Sequence, residues 1–153
     1  MTTTITPFLW YDDNAEEAIG LYSRLFPDAR VIDENRGPDG SLFFATVELA
    51  GQRVFVMNGG PGHPHTDAFS FFVSVETQEE VDRLWDALTA DGGEPGQCGW
   101  LKDKYGLSWQ VVPPRLSELL SDPDPAKAGA VMQTMLPMGK LELAALEAAY
   151  NSA

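Results

Sequence analysis

Four small groups of residues have the types and spacing to do chemistry. In "WLKDKYGLSWQVV", residues 100–112, Gln110 stands in the middle of an apolar strand that Pro113 and Pro114 close. A buried amide left without partners costs about 1–3 kcal/mol, so Gln110 either serves a neighbour such as Ser70 or faces something the protein binds. His63 and His65 lie two apart in "NGGPGHPHTDA", with Asp67 nearby. Two imidazoles on one side of an extended backbone can begin a metal site, but no distant third ligand is evident. The preferred reading is an exposed loop, with gating ahead of coordination. Cys98 is the only cysteine and sits in "QCGW". A reactive thiolate needs a base or a positive field, which Lys102 or Lys104 could supply, yet nothing fixes that geometry and inert packing is expected. Asp103 and Lys104, beside Gly106, are expected to stabilise the turn locally.

The elements that must position these groups follow from periodicity. An apolar opening strand, 5–11, runs into "DDNAEEAIGLYSRLFPD", where Ala15, Ala18, Ile19, Tyr22, Leu25 and Phe26 recur at helical spacing and Asn14 with Glu17 has the pattern of a capping box. Strands are expected over 29–34, 42–49 and 53–58, separated by "GPDGS" and "AGQ". The order is β-α-β-β-β. The chain then restarts with a strand over 69–75 and the helix of "ETQEEVDRLWDALTADGG", where Thr77 and Glu80 repeat the capping pattern and Val81, Leu84, Trp85 and Leu88 form the apolar stripe. An offset of 63 lays Ala18 on Val81, Tyr22 on Trp85 and Leu25 on Leu88, while an offset of 55 lays Gly51 on Gly106 and Phe55 on Gln110. Short strands over 95–98 and 100–102 lead to a last strand, 108–113. Two β-α-β-β-β units therefore fill residues 5–113. Everything after Pro114 is helical in character, with Asp124 and Pro125 in cap and first-turn positions, and Met132, Met135, Leu136 and Met138 offering an adaptable packing surface.

Composition excludes several classes of function. The chain of 153 residues carries a net charge of −13, which repels phosphate backbones and anionic lipid surfaces, so neither nucleic acid nor membrane is an expected partner. No apolar run approaches the roughly 20 residues a membrane helix needs. The start "MTTTITPF" lacks the basic and apolar regions of a secretory signal, and with a single cysteine a cytoplasmic location is expected.

Tandem β-α-β-β-β units resemble the vicinal oxygen chelate superfamily, which includes glyoxalases, extradiol dioxygenases and bleomycin- or fosfomycin-resistance proteins. More narrowly, "TPFLWYDDNAEEAIGLYSRLFPDA", "CGWLKDKYGLSWQVVP" and "DPDPAKAGAVMQTML" resemble its PhnB-like branch, which carries a 3-demethylubiquinone-9 3-methyltransferase label. The resemblance implies that each unit curls into a half-open sheet, that the two together form a cup, and that the protein is a homodimer. In metal-using members the opening and final strands of each unit supply the ligands. Carried over by the repeat offsets, those positions are Pro7, Phe55, Ser70 and Gln110, with Phe8 the alternative to Pro7. Only Gln110 keeps a plausible donor, and one neutral carbonyl oxygen cannot hold Zn²⁺, Fe²⁺ or Mn²⁺ against water. No metal is expected. The glycine cluster "NGGPGHPH" leads from a strand to a loop rather than to a helix, so no S-adenosylmethionine signature is present and no cofactor is expected.

The expected fold is α+β, tandem βαβββ modules (5–58 and 69–113) forming a cup-shaped mixed sheet with a helical tail (114–153), all in one domain. Alternation sets Ser108, Gln110 and Val112 on one face of the last strand, with Trp109 and Val111 in the core. It also sets Ser70, Phe72 and Ser74 inward, with Leu9 and Tyr11 opposite and Phe55 and Met57 alongside. Trp10 and Trp100 are candidates for a wall, a dimer contact or the core. The leading reading is a metal-independent protein that binds a small molecule in a cup lined by Phe55, Met57, Ser70, Phe72 and Gln110. The alternatives are an enzyme of glyoxalase, dioxygenase or methyltransferase type, and a structural protein whose cup is filled by its own side chains.

Overall fold

The computed structural model describes residues 2–153, which divide into two compact units, 2–65 and 66–153. In the first, β1 (Phe8–Tyr11), α1 (Ala15–Leu25), β2 (Arg30–Arg36), β3 (Leu42–Leu49) and β4 (Gln52–Asn58) build a four-stranded sheet in the order β1-β4-β3-β2. β1 runs parallel to β4 and the other pairs are antiparallel. The helix stripe Ala15, Ala18, Ile19, Tyr22 and Leu25 is buried as its spacing predicts, and α1 packs on β3 and β4. Tyr11 and Tyr22 share a buried hydroxyl–hydroxyl hydrogen bond of 2.9 Å.

Two local expectations need correction here. The opening strand begins at Phe8 and leaves Ile5 94% exposed. Pro7 has no N–H to give a ladder, and pairing starts when its carbonyl accepts from Phe55 N at 2.9 Å. Asn14 stands at the N-cap of α1 but makes no side-chain cap bond. Asn58, at the end of β4, caps the helix instead. Its Oδ1 accepts from Ala15 N (2.8 Å) while its Nδ2 donates to Leu42 O (3.0 Å). One side chain thereby satisfies an orphan helix donor and ties α1 to both central strands.

In the second unit β5 (Ser70–Ser74), α2 (Gln78–Thr89), a 3₁₀ turn (Ala90–Gly92), β6 (Glu94–Pro95), β7 (Trp100–Lys102) and β8 (Ser108–Val112) repeat the plan in the order β5-β8-β7-β6. The repeat read from the sequence survives in three dimensions. Val81, Trp85 and Leu88 are buried as Ala18, Tyr22 and Leu25 are, and Gly51 and Gly106 both take left-handed φ, 84° and 87°. Thr77 Oγ1 accepts from Glu80 N at 3.2 Å, but the Glu80 carboxylate pairs with Arg83 instead of reaching back to the cap. The strand expected over 95–98 stops at Pro95, because Gly96 N already bonds Trp100 O (2.8 Å) and Cys98 turns to φ 55°.

The tail folds with this second unit as α3 (Pro114–Leu120), α4 (Pro125–Met135) and α5 (Leu143–Ser152). Leu116, Leu119, Val131, Met135, Leu141 and Leu146 form a core with Val112 of β8, and Met138 packs partly against it, whereas Met132 and Leu136 stay exposed. Asp124 caps α4 through Ala126 N (2.9 Å), with Pro125 in the first turn. The segment before α5 lies along the β6–β7 hairpin, with Cys98 N donating to Met138 O (2.7 Å) and Gly99 N to Gly139 O (2.9 Å). Among the described residues no helix is long and apolar enough to cross a membrane.

Candidate functional site

Strand register decides which side chains share a face. Phe8 pairs with Phe55 and Trp10 with Met57, while Phe55 and Met57 face Thr46 and Phe44 across β3. These residues make up the face of the first sheet that α1 does not cover. Phe8, Phe44 and Phe55 cluster there with ring centroids 5.4–6.3 Å apart. Leu9 and Tyr11 do not join them. They point to the helix side and are 2% and 3% exposed, so placing them beside Phe55 and Met57 is a phase error of one residue, which inverts every side chain of the strand. Its source is the repeat offset. Phe72 lies beside Gln110 as Phe8 lies beside Phe55, so the opening strands align at an offset of 64, not the 63 that aligns the helices.

On the second sheet the open face is built in rows. Phe72, Gln110 and Trp100 form one row across β5, β8 and β7, and Ser70, Ser108, Lys102 and Glu94 form the next across all four strands. Gln110 is half-buried, and its Nε2 donates to Ser70 Oγ at 3.0 Å, which links the rows. The amide thus has the neighbour its burial demands, and beside it on the neighbouring strand stands Phe72, which is 58% exposed. Trp109, on the opposite side, is core at 1% exposure, as alternation predicts. Sequence reasoning does not single out Ser108, Lys102 and Glu94 as site residues. The signal for them lies in the alternation from Gln110 to Ser108, carried across the hairpin through Gly106.

The remaining candidates resolve into structural roles. Trp10 is half-buried and donates from Nε1 to Gly60 O at 2.8 Å. The His63 ring lies tilted against Trp10 and the His65 ring edge-on to Tyr11, with centroids 4.3 and 5.1 Å apart. The loop is exposed over 61–64 and 66–69 as expected, with His65 half-buried, and its two imidazole rings lie against β1. Cys98 Sγ lies 3.6 Å from the carbonyls of Met135 and Leu136 and anchors the end of α4. Asp103 is buried and caps the turn through Oδ1, which accepts from Tyr105 N and Leu107 N.

The donor set at the four inward positions does not fit a divalent ion. Phe8, not Pro7, stands beside Phe55, and none of these three has a side-chain donor, while Ser70 Oγ is engaged by Gln110. Among the described residues no group of three His, Cys, Asp or Glu side chains is placed to hold a metal.

Comparison with known proteins gives the family and the fold. Residues 3–112 match the family described as 3-demethylubiquinone-9 3-methyltransferase, so α3–α5 lie beyond the matched region. Comparison with curated proteins finds no match. Among solved structures, the PhnB protein from Bacillus cereus is 31% identical with a TM-score of 0.67, over 72% of this chain and 99% of that one. Protein PA1353 from Pseudomonas aeruginosa is 17% identical (TM-score 0.58; 73% of this chain and 98% of that one). The fosfomycin resistance protein FosX from Listeria monocytogenes, solved with Mn(II) and sulfate, is 20% identical (TM-score 0.52; 72% and 91%). The last two show likeness of fold.

Proposed function

The chain belongs to the family described as 3-demethylubiquinone-9 3-methyltransferase, the PhnB-like branch of the vicinal oxygen chelate superfamily, and from that membership we propose that it is a metal-independent small-molecule-binding protein. The observation that carries the reading is the row Phe72–Gln110–Trp100: an exposed aromatic ring, an amide held by Ser70 and a second ring, side by side on an uncovered face. Apolar surface with one oriented polar group is what a modest aromatic or aliphatic ligand requires. In this proposal Phe72, Ser70 and Gln110 recognise the ligand on the second sheet, while Phe55 and Met57 belong to a separate apolar face of the first sheet with Phe8 and Phe44.

Methyl transfer is not part of the proposal. The strand-to-helix turns of both units, Asp12-Asp13-Asn14 and Val75-Glu76-Thr77, contain carboxylates and no glycine where a nucleotide-type cofactor site needs close backbone approach. A homodimer is part of it, as the family resemblance implies, and the subunit count in native mass spectrometry tests that element.

Titration calorimetry with benzamide, a neutral ring bearing one amide, tests the binding row. Phe72→Ala and Gln110→Ala are each expected to weaken binding by about fivefold or more, near 1 kcal/mol. Because Phe72 is exposed and Gln110 half-buried, both variants should unfold within about 1 kcal/mol of the parent. Binding that is unchanged in both variants would return Gln110 to a purely structural role.

A further inference from the structure

The second row of the open face borders a pocket of about 400 Å³ at the β6–β7 edge, lined by Asp67, Glu94, Gln97, Trp100, Lys102 and Ser108. Its floor holds an unusual group. Ser108 is 1% exposed, yet its hydroxyl has no hydrogen-bond partner among the described residues. Buried hydroxyls are nearly always satisfied, so one that is not, at the base of a pocket, points to an occupant that supplies the missing bond. The charges around it are also unspent. Among the described residues Lys102, Glu94 and Asp67 form no ion pair, although Glu94 and Lys102 are cross-strand neighbours.

The chemistry of the rim narrows the ligand class. Two carboxylates against one ammonium repel a simple anion, and a simple cation would leave Lys102 and Ser108 unanswered. A neutral ligand would answer none of the three charges. A molecule with both an ammonium and a carboxylate meets all of them, and Trp100 offers a flat apolar wall beside them. We propose that this pocket binds a small α-amino acid with an apolar side chain. Its carboxylate sits on Lys102 and the Ser108 hydroxyl, its ammonium faces Asp67 and Glu94, and its side chain lies against Trp100. This assignment rests on the open face of the second sheet being the binding surface, and it adds the ligand's chemical class.

Calorimetry on the full chain tests it with L-phenylalanine, L-leucine and L-methionine as probes, N-acetyl-L-phenylalanine and L-phenylalaninamide as blocked analogues, and benzamide as a neutral reference. Saturable binding of at least one amino acid is expected, with either block weakening the L-phenylalanine interaction about tenfold or more. Ser108→Ala removes an unpartnered hydroxyl and should fold at least as well as the parent, while weakening amino-acid binding about fivefold. Lys102→Met, at an exposed strand position, should do the same. Absence of saturable binding by all three amino acids, equal affinity for the blocked analogues, or binding unchanged in both variants would overturn the assignment. Benzamide binding that depends on Phe72 and Gln110, with no amino-acid binding, would overturn this pocket's ligand alone. Loss of both would overturn the open-face reading with it.

Discussion

Asp103→Ala is expected to lower the unfolding free energy by about 3–5 kcal/mol, the sum of a few buried donors left without an acceptor. Asp103 is 2% exposed and serves three N–H groups: Oδ1 accepts from Tyr105 N at 2.9 Å and Leu107 N at 3.1 Å, and Oδ2 accepts from Trp109 Nε1 at 2.9 Å. Leu107 and Trp109 are fully buried, so water cannot replace the carboxylate without opening the core. Asp103→Asn retains one acceptor oxygen for the turn but sets an NH₂ against the indole donor, and its loss should fall between parent and alanine variant. Urea unfolding at unchanged m-value reads the effect as a shift of midpoint. An alanine variant within about 1 kcal/mol of the parent would show that the carboxylate is not what holds this turn to the core.

That residue also shows how far a sequence can be read. The turn role of Asp103 is visible in "KDKYG", because an aspartate two residues before a backbone N–H forms a local turn. Its bond to Trp109 is not, since it depends on the hairpin bringing two positions together across β7 and β8. The same division holds elsewhere. Helical stripes and repeat offsets are local periodicities, and they locate α1, α2 and the paired glycines Gly51 and Gly106 correctly. The cap of α1 falls to Asn58 and not to Asn14, because the competing acceptor lies 43 residues from the donor it serves, beyond the reach of any local pattern. The faces of β1 come out inverted because the offset of 63 that aligns the helices is one residue short for the opening strands, and a slip of one residue turns every side chain to the other face.

Gly99→Ala is the second large effect, expected to cost about 2–4 kcal/mol from left-handed strain combined with overpacking. Gly99 has φ 89°, and a Cβ there would lie 3.0 Å from Val111 O and 3.1 Å from Leu141 Cδ1. Its backbone is a junction: its N–H donates to Gly139 O and its carbonyl accepts from Val111 N, both at 2.9 Å. Displacing it pulls the β6–β7 hairpin away from β8 and from the segment leading to α5. Gly106→Ala separates the two causes, since Gly106 has nearly the same φ, 87°, with nothing within 4 Å of the added carbon. That variant should lose only the conformational part, about 1–2 kcal/mol. Equal losses in the two variants, measured by thermal or urea unfolding, would mean that crowding at the junction contributes nothing.

The candidate site is partly legible for the same physical reasons. Alternation within single strands places Ser70, Phe72 and Gln110 on one face, and the register keeps them there. The row Ser70–Ser108–Lys102–Glu94 needs the register of three strand pairs at once, including a β6 of only two residues, and no periodicity survives in so short a strand. The resemblance implies which positions would carry ligands, and the residue types there, Phe8 in place of Pro7 with Phe55, Ser70 and Gln110, carry the proposal of binding without a metal.

That central claim is tested most directly by native mass spectrometry of the purified protein, reporting metal, subunit count and retained organic ligand in one spectrum. The expected spectrum shows a species with no stoichiometric divalent ion, whose bound organic mass, or whose benzamide adduct when that probe is added, diminishes in Gln110→Ala. One tightly held metal ion per chain, lost on Gln110→Ala or His63→Ala, would contradict it.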